Sequence, residues 1–333
     1  MPAGRPGFVL CYRSAMLEFE DGVRLSGTEV WLDPRRKKPR AIVSHAHSDH
    51  VARHRCWVTS PATGVLARRR WNACEVETRE FGVPWEDDGA TVTLFPAGHI
   101  LGSSMVLLER AGTRILYTGD FRLEPSATAE RCTPVPADVL VMECTFGEPV
   151  YRFPSRGDVL DRVDDFIATA RRAGHTPVLL AYSLGKAQEV ARLVSERGHD
   201  VALLDDAHAM LEAYREAGVR FERCTRFDGA PHGHEVLIAP PSPGGLSALR
   251  ALPSRRTAFL SGWALGPPRW RPACDAAFPL SDHADFDELV RMVERVRPRK
   301  IYTLHGPDRF AHHLRTRGWD ATPARHARQL TLF

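Results

Sequence analysis

His45-Ala46-His47-Ser48-Asp49-His50 packs three imidazoles and one carboxylate into a single short stretch. Such a run makes a poor surface loop and a worse core, because each group would have to be satisfied separately. With alternate side chains pointing together, His45 and His47 can hold one cation while Asp49 and His50 hold another. Imidazole with carboxylate suits zinc and, with adjustment, manganese or iron. The short apolar stretch 41–44 reads as a strand that delivers this loop.

Working outward, the complements of a two-metal site follow at strand ends. His99 comes after the strand expected at 91–95, and His305 after the strand expected at 300–304. Asp120 closes Tyr117-Thr118-Gly119-Asp120, a placement suited to a carboxylate that bridges two ions. Residues 16–20, the Asp21-Gly22 turn and residues 23–25 read as a hairpin. Further strands are expected at 29–32, 105–109, 114–117 and 139–142.

The middle of the chain changes rhythm. Helical periodicity at 158–172, 187–197 and 207–217 alternates with apolar stretches at 177–181, 201–204 and 235–238. That alternation predicts a parallel sheet flanked by helices. Residues 240–245 read as a Pro/Gly-rich loop, 257–260 as a strand, and a helix is expected up to about residue 296.

At 333 residues, with 43% hydrophobic and 26% charged, the chain reads as a soluble globular protein of two domains. No apolar run approaches the roughly 18 residues of a membrane span, and the first residues do not resemble a secretory leader. The seven cysteines are scattered and never form a CxxC pair, which fits reduced thiols in a cytoplasm. The net charge of +4 permits nucleic-acid binding without requiring it.

The HxHxDH loop, followed by His99, Asp120 and His305, resembles the metallo-β-lactamase fold, an αββα sandwich with ligands at strand ends. The resemblance implies that His45, His47 and His99 hold a first metal, that Asp49, His50 and His305 hold a second, and that Asp120 bridges them. Asp33 matches the family's first acidic motif, which supports the ligand loop from behind. A core interrupted by a β/α insertion and resumed by Ser281-Asp282-His283-Ala284-Asp285-Phe286 resembles the β-CASP nucleases, the group of Artemis, Apollo and the pre-mRNA 3′-end endonuclease. The implied architecture is α/β: a metallo-β-lactamase sandwich in two parts, 1–155 and 269–333, with an inserted β-CASP domain at 156–268. Glu143 and His283 match two further β-CASP motifs, and with Asp49 they make the expected catalytic set. Ser183 and Lys186, in Tyr182-Ser183-Leu184-Gly185-Lys186, are expected to contact substrate phosphates at a helix N-terminus. Arg122 and Arg152 are expected to face the same cleft.

A narrower resemblance is carried by Phe121-Arg122-Leu123-Glu124-Pro125, Cys144-Thr145-Phe146-Gly147-Glu148-Pro149-Val150-Tyr151-Arg152 and Ser183-Leu184-Gly185-Lys186-Ala187-Gln188-Glu189. These look like the bacterial ligase-associated DNA exonucleases. That likeness implies a DNA-repair exonuclease using Zn2+ and/or Mn2+ on single-stranded DNA or ends, associated functionally with a DNA ligase and a helicase. His305 stands where Artemis and Apollo have an apolar residue, as in RNA-cleaving members, so an RNA-processing nuclease is the alternative. A catalytically silent scaffold subunit is another. The tail Gln329-Leu330-Thr331-Leu332-Phe333 resembles peptides that engage the DNA sliding clamp, with Gln329, Leu330, Leu332 and Phe333 as the contacting residues. His232 and His234 read as solvent-facing, and Arg68-Arg69-Arg70-Trp71 as the solvated face of a helix.

Overall fold

The first half of the chain is built from short strands whose alternate residues are apolar. Leu17–Glu18 and Val23–Leu25 pair antiparallel across the Asp21-Gly22 turn, as the sequence predicts. They open a sheet completed, in order, by Trp31–Leu32, Arg40–Ile42, Cys56–Thr59 and Glu75–Thr78. A second sheet runs in spatial order Ala321–Pro323, Lys300–Leu304, Val139–Glu143, Thr113–Tyr117, Ser104–Arg110, Ala90–Pro96 and Trp85–Asp87. These strands belong to a computed structural model that describes residues 16–71, 75–230, 235–252 and 254–326.

The two sheets face each other across one apolar layer, where Leu25, Leu32, Ile42 and Val58 meet Val92, Leu94, Val106, Leu108 and Ile115. Helix Pro61–Trp71 covers the outer face of the first sheet through Val43, Trp57 and Ala67. Helices Phe286–Val296 and Asp308–Thr316 cover the outer face of the second. The result is the αββα sandwich expected from the histidine loop. Phe286, Leu289, Val290, Met292, Val293 and Val296 form the buried stripe of its helix at i, i+3, i+4 and i+7 spacing. Trimming Leu289 to alanine would cost about 2–5 kcal/mol.

The third sheet has the order Cys224–Arg226, Val201–Leu203, Val236–Ala239, Thr176–Leu180, Arg255–Leu260 and Ala276–Phe278, with every pairing parallel. Its central strands are apolar at nearly every position because both faces are covered. Helices Arg156–Arg172, Lys186–Glu196 and Asp205–Glu216 pack on one face. Ala46, Leu66, Ile100 and Leu101 of the sandwich join that same core, so the two parts share an apolar seam. The edge strand Ala276–Phe278 extends this sheet beyond residue 268.

Three parallel strands of the second sheet position the chemistry. Tyr117 lies opposite Val141, and Glu143 opposite Leu304, so the segments leaving these strands emerge at one edge. Sequence patterning missed helix Asp308–Thr316, which buries only Phe310, Ala311 and Leu314 among charged neighbours. Residues 240–245, expected as a loop, include the start of helix Pro243–Ala248. Ser242 caps it by accepting from Gly245 N, with proline in the first turn, so breaker residues there mark a helix start. Among the described residues no helix is long and apolar enough to cross a membrane, and Cys56, Cys132, Cys144, Cys224 and Cys274 are free thiols. The tail 329–333 and the pair His232 and His234 lie outside the described residues.

Candidate metal centre

The histidine loop leaves strand Arg40–Ile42 and turns straight under the ends of the second sheet. Gly119, at φ +53°, brings the segment that carries Asp120 against Ser44, which a Cβ would approach to 2.8 Å. A side chain there would push Asp120 away from the loop. His45, His50, His99 and Asp120 are all buried.

Each imidazole is anchored on one nitrogen and bare on the other. His47 Nε2 donates to the Leu184 carbonyl (3.1 Å), His99 Nδ1 to the Asp282 carbonyl (2.9 Å) and His50 Nδ1 to Asp33 (2.8 Å). His45 Nδ1 lies 2.9 Å from Ser44 Oγ. The bare nitrogens converge: His45 Nε2 lies 3.1 Å, and His99 Nε2 3.0 Å, from His47 Nδ1. Opposed lone pairs do not satisfy each other, whereas donors on one tetrahedral zinc at roughly 2.1 Å stand about 3.3 Å apart. Asp120 completes this group, and a second group is made by His50, Asp120 and His305. Asp120 Oδ2 lies 3.2 Å from His50 Nε2, and its Oδ1 lies 3.8 Å from His305 Nδ1. His50 Nε2 and Asp120 Oδ1 are buried without a hydrogen-bond partner. Orphaned acceptors aimed at a common point fit divalent cations, and the His/Asp donor set fits the same chemistry.

Burial, reinforced by its imidazole neighbours, holds His45 well below the usual histidine range; burial and nearby His283 push His99 down to about 4. Both are therefore neutral at physiological pH, the form that ligates. Asp33, in the left-handed region at φ +43°, supports the loop with four acceptor contacts. Its carboxylate takes Ser44 N at 2.7 Å, Ser44 Oγ at 2.5 Å, Tyr117 Oη at 2.7 Å and His50 Nδ1 at 2.8 Å.

His283 stands beside this centre, with its ring centroid 4.4 Å from that of His99 and its Nε2 4.0 Å from Asp120 Oδ2. Glu143 Oε1 accepts from His283 Nδ1 at 2.9 Å, so the two motif residues meet. Burial alone would lower the His283 pKa, but the Glu143 and Asp120 carboxylates push it up to about 10. Capping of the next helix falls to Asp285, which takes Glu288 N at 2.8 Å while the Glu288 carboxylate accepts from Asp285 N. His283 is thus free of a capping role.

Three expectations need correction. Asp49 is not brought into either converging group: its side chain is 72% exposed on the cleft wall, with Oδ2 3.9 Å from His50 Nε2. An unpaired carboxylate keeps its hydration by facing solvent. Lys186 does not reach substrate. Its side chain is 1% exposed and turns inward to Asp282 Oδ1 at 3.3 Å and Glu189 Oε2 at 3.7 Å. Gly185, at φ +86° with Ile100 2.2 Å from a Cβ position, makes the turn that buries it. Arg122 is likewise buried against Glu189 at 3.0 Å, and Arg152 pairs with Asp287 at 2.9 Å away from the cleft. Ser183 is half-buried and does line the cleft.

The sequence reading passed over Asp282, Ser44, Tyr117 and Arg70. Arg70, exposed at the end of helix Pro61–Trp71, lines the cleft. Asp282 is adjacent to His283 within the Ser281 to Phe286 motif, and that adjacency is the signal that could have found it.

Residues 276–325 match the family described as a Zn-dependent metallo-hydrolase RNA specificity domain. The chain is 40% identical over 323 residues to a protein of Opitutus terrae named probable DNA ligase, covering 95% of the chain and 32% of the relative. It is 32% identical over 123 residues to endoribonuclease YSH1 of Kluyveromyces lactis, 36% of the chain and 16% of that protein. It is 34% identical over 116 residues to cleavage and polyadenylation specificity factor subunit 3 of Dictyostelium discoideum, 33% of the chain and 14% of that protein. The chain thus spans about a third or less of the length of these relatives. A crystal structure of a protein of unknown function from Enterococcus faecalis V583 superposes with a TM-score of 0.54 at 14% identity, over 80% of this chain and 75% of that one. With the sandwich, the inserted parallel sheet and the His/Asp groups at the strand ends, these matches support a metallo-β-lactamase fold and a likeness to the β-CASP nucleases.

Proposed function

We propose that the chain is a metal-dependent phosphodiesterase, an exonuclease acting on DNA single strands or ends. The observation that carries this reading is the 2.9 Å His283–Glu143 pair, set beside the Asp120 carboxylate on which both histidine groups converge. The histidine groups alone would suit any hydrolase of this fold. A further imidazole oriented by a carboxylate adds a proton donor where a leaving oxygen needs one.

His45, His47 and His99 would hold one ion, His50 and His305 the other, and Asp120 both, with Zn2+ and/or Mn2+ as the ions. When bound, such ions supply charge to neutralise the phosphodiester and acidity to activate water. The side chains do the rest. Asp33 fixes the ring of His50 through Nδ1, and Glu143 fixes His283 so that Nε2 exchanges a proton with the departing oxygen. Ser183 offers a hydroxyl to a strand phosphate. With the division taken at 1–155, 156–268 and 269–333, the inserted domain would bring Ser183 and Leu184 beside His47, whose Nε2 donates to the Leu184 carbonyl.

DNA as substrate is supported by the long match to a relative named as a DNA ligase. The name of that relative also supports a repair role beside a ligase; a cytoplasmic location, a helicase partner and the engagement of a sliding clamp by the tail 329–333 rest on the sequence resemblance alone. RNA processing is the second reading, favoured by His305 and the match over 276–325. A silent scaffold is disfavoured because the ligand positions carry His or Asp. Matched end-labelled DNA and RNA strands, digested with zinc or manganese, test this. DNA shortened from one end is expected; cleavage of RNA alone would overturn the DNA reading, and no cleavage of either would overturn the enzyme.

A further inference from the structure

Beyond the metal centre the cleft opens to about 650 Å³. Among the described residues lining it, Arg70 is the one arginine or lysine, against Asp49, Asp120, Asp206 and Asp282. Arg70 already has the Asp206 and Asp49 charges beside it. Lys186, which would have been a second cation, is buried. Walls of this kind attract a phosphate backbone poorly.

What the walls do present is aromatic. Val83, Val150, Tyr182 and Trp270 are the exposed large hydrophobic residues among those described, and both aromatics stand at this cleft or beside it. Tyr182 lines the cleft with 47% of its surface exposed. Trp263 also lines it, and Trp270 meets Trp263 edge-on at 5.3 Å between ring centres. Phe146 holds Trp263 at 4.8 Å and lies 6.0 Å from His283, so a line of rings leads outward from the candidate proton donor. Pro240 and Pro241 add further apolar surface. An apolar ring left in water is unfavourable unless something flat covers it.

We infer that Tyr182 and Trp263 form a nucleobase-stacking subsite, so that a single strand is held in the cleft by its bases more than by its phosphates. The identity of the bound strand rests on the phosphodiesterase reading; the stacking itself is measurable without turnover. Base stacking on an aromatic ring contributes about 1–3 kcal/mol, which corresponds to about 5- to 150-fold in affinity.

The test measures affinity for a fluorescein-labelled single-stranded oligodeoxynucleotide in the presence of chelator, so that no cleavage occurs. Tyr182→Ala should weaken binding about 5- to 150-fold while Tyr182→Phe retains it. A strand with abasic positions should bind wild type weakly and be indifferent to Tyr182→Ala. Trp263→Phe, which keeps a ring and the local packing, should bind the base-bearing strand while losing most of the tryptophan quenching. With one arginine on the walls, the slope of log affinity against log salt should be shallower than about −1. Equal affinity for abasic and base-bearing strands, an unchanged Tyr182→Ala, or no binding of either strand would each overturn the subsite. Cleavage is read separately with metal: stacking without cleavage would remove the phosphodiesterase reading and leave the subsite standing.

Discussion

Two buried clusters of charged groups lie side by side and are balanced in opposite ways. In the first, His45, His47, His50, His99 and Asp120 turn bare acceptors toward common points, and His50 Nε2 and Asp120 Oδ1 have no partner. In the second, Asp282 and Glu189 meet Lys186, Arg122 and Arg156, with Lys186 Nζ 3.3 Å from Asp282 and Arg122 3.0 Å from Glu189. One cluster is short of positive charge and the other carries its own. They touch through Asp282, whose carbonyl takes His99 Nδ1 while its carboxylate takes Lys186. Burying charge is tolerated only when it is compensated, so the first cluster calls for an external cation and the second does not.

The sharpest way to break that contrast is Asp120→Ala, because Asp120 belongs to both converging groups. Metal content by elemental analysis should fall from two ions per chain, and nuclease turnover should fall by several kcal/mol, about a thousandfold or more. Wild-type metal content and turnover in this variant would mean that the orphaned acceptors are not a metal site.

Next in size is Lys186→Met. It leaves Asp282 buried without its cation and should destabilise the protein by about 3–5 kcal/mol in urea unfolding. Adding Asp282→Asn removes the stranded charge, so the double variant should recover much of that loss. If Lys186→Met were neutral, the second cluster would not be held by its own charge balance. A surface phosphate-binding lysine, by contrast, would change affinity for DNA and leave stability within about 0.5 kcal/mol.

The difference between the clusters also explains what could be read from the chain alone. The first is dense in sequence: three of its groups sit within His45 to His50, and the rest follow apolar strands whose period announces their ends. The second is assembled from residues 122, 156, 186, 189 and 282, which no local pattern joins. Tyr182 to Lys186 read as a phosphate cradle because a strand, a glycine and a lysine before a helix usually expose the lysine. What buried it was the left-handed turn at Gly185 against Ile100, a contact between distant segments. Asp49 erred the other way, since spacing within a loop fixes which residues are near but not which way each carboxylate points. Arg70 is exposed on its helix as the sequence predicts, but that helix ends beside the cleft, which a helical wheel cannot show.

The finest test concerns how rigidly the first cluster is held. Asp33 spends Oδ1 on Ser44 N, and Oδ2 on Ser44 Oγ, Tyr117 Oη and His50 Nδ1. Asp33→Asn keeps the size but replaces one oxygen with an amide that can only donate. If the remaining oxygen serves Ser44 N, the amide faces three donors and His50 loses the contact that fixes its ring. If it serves His50, the Ser44 amide is stranded at the entrance to the histidine loop. Either way the second converging group loosens more than the first, because His47 and His99 are anchored elsewhere on the Leu184 and Asp282 carbonyls. Metal affinity by competition with a chelator should therefore drop about 10- to 100-fold, with the weaker-held ion lost first. Equal weakening of both ions would mean that Asp33 supports the loop as a whole rather than the ring of His50.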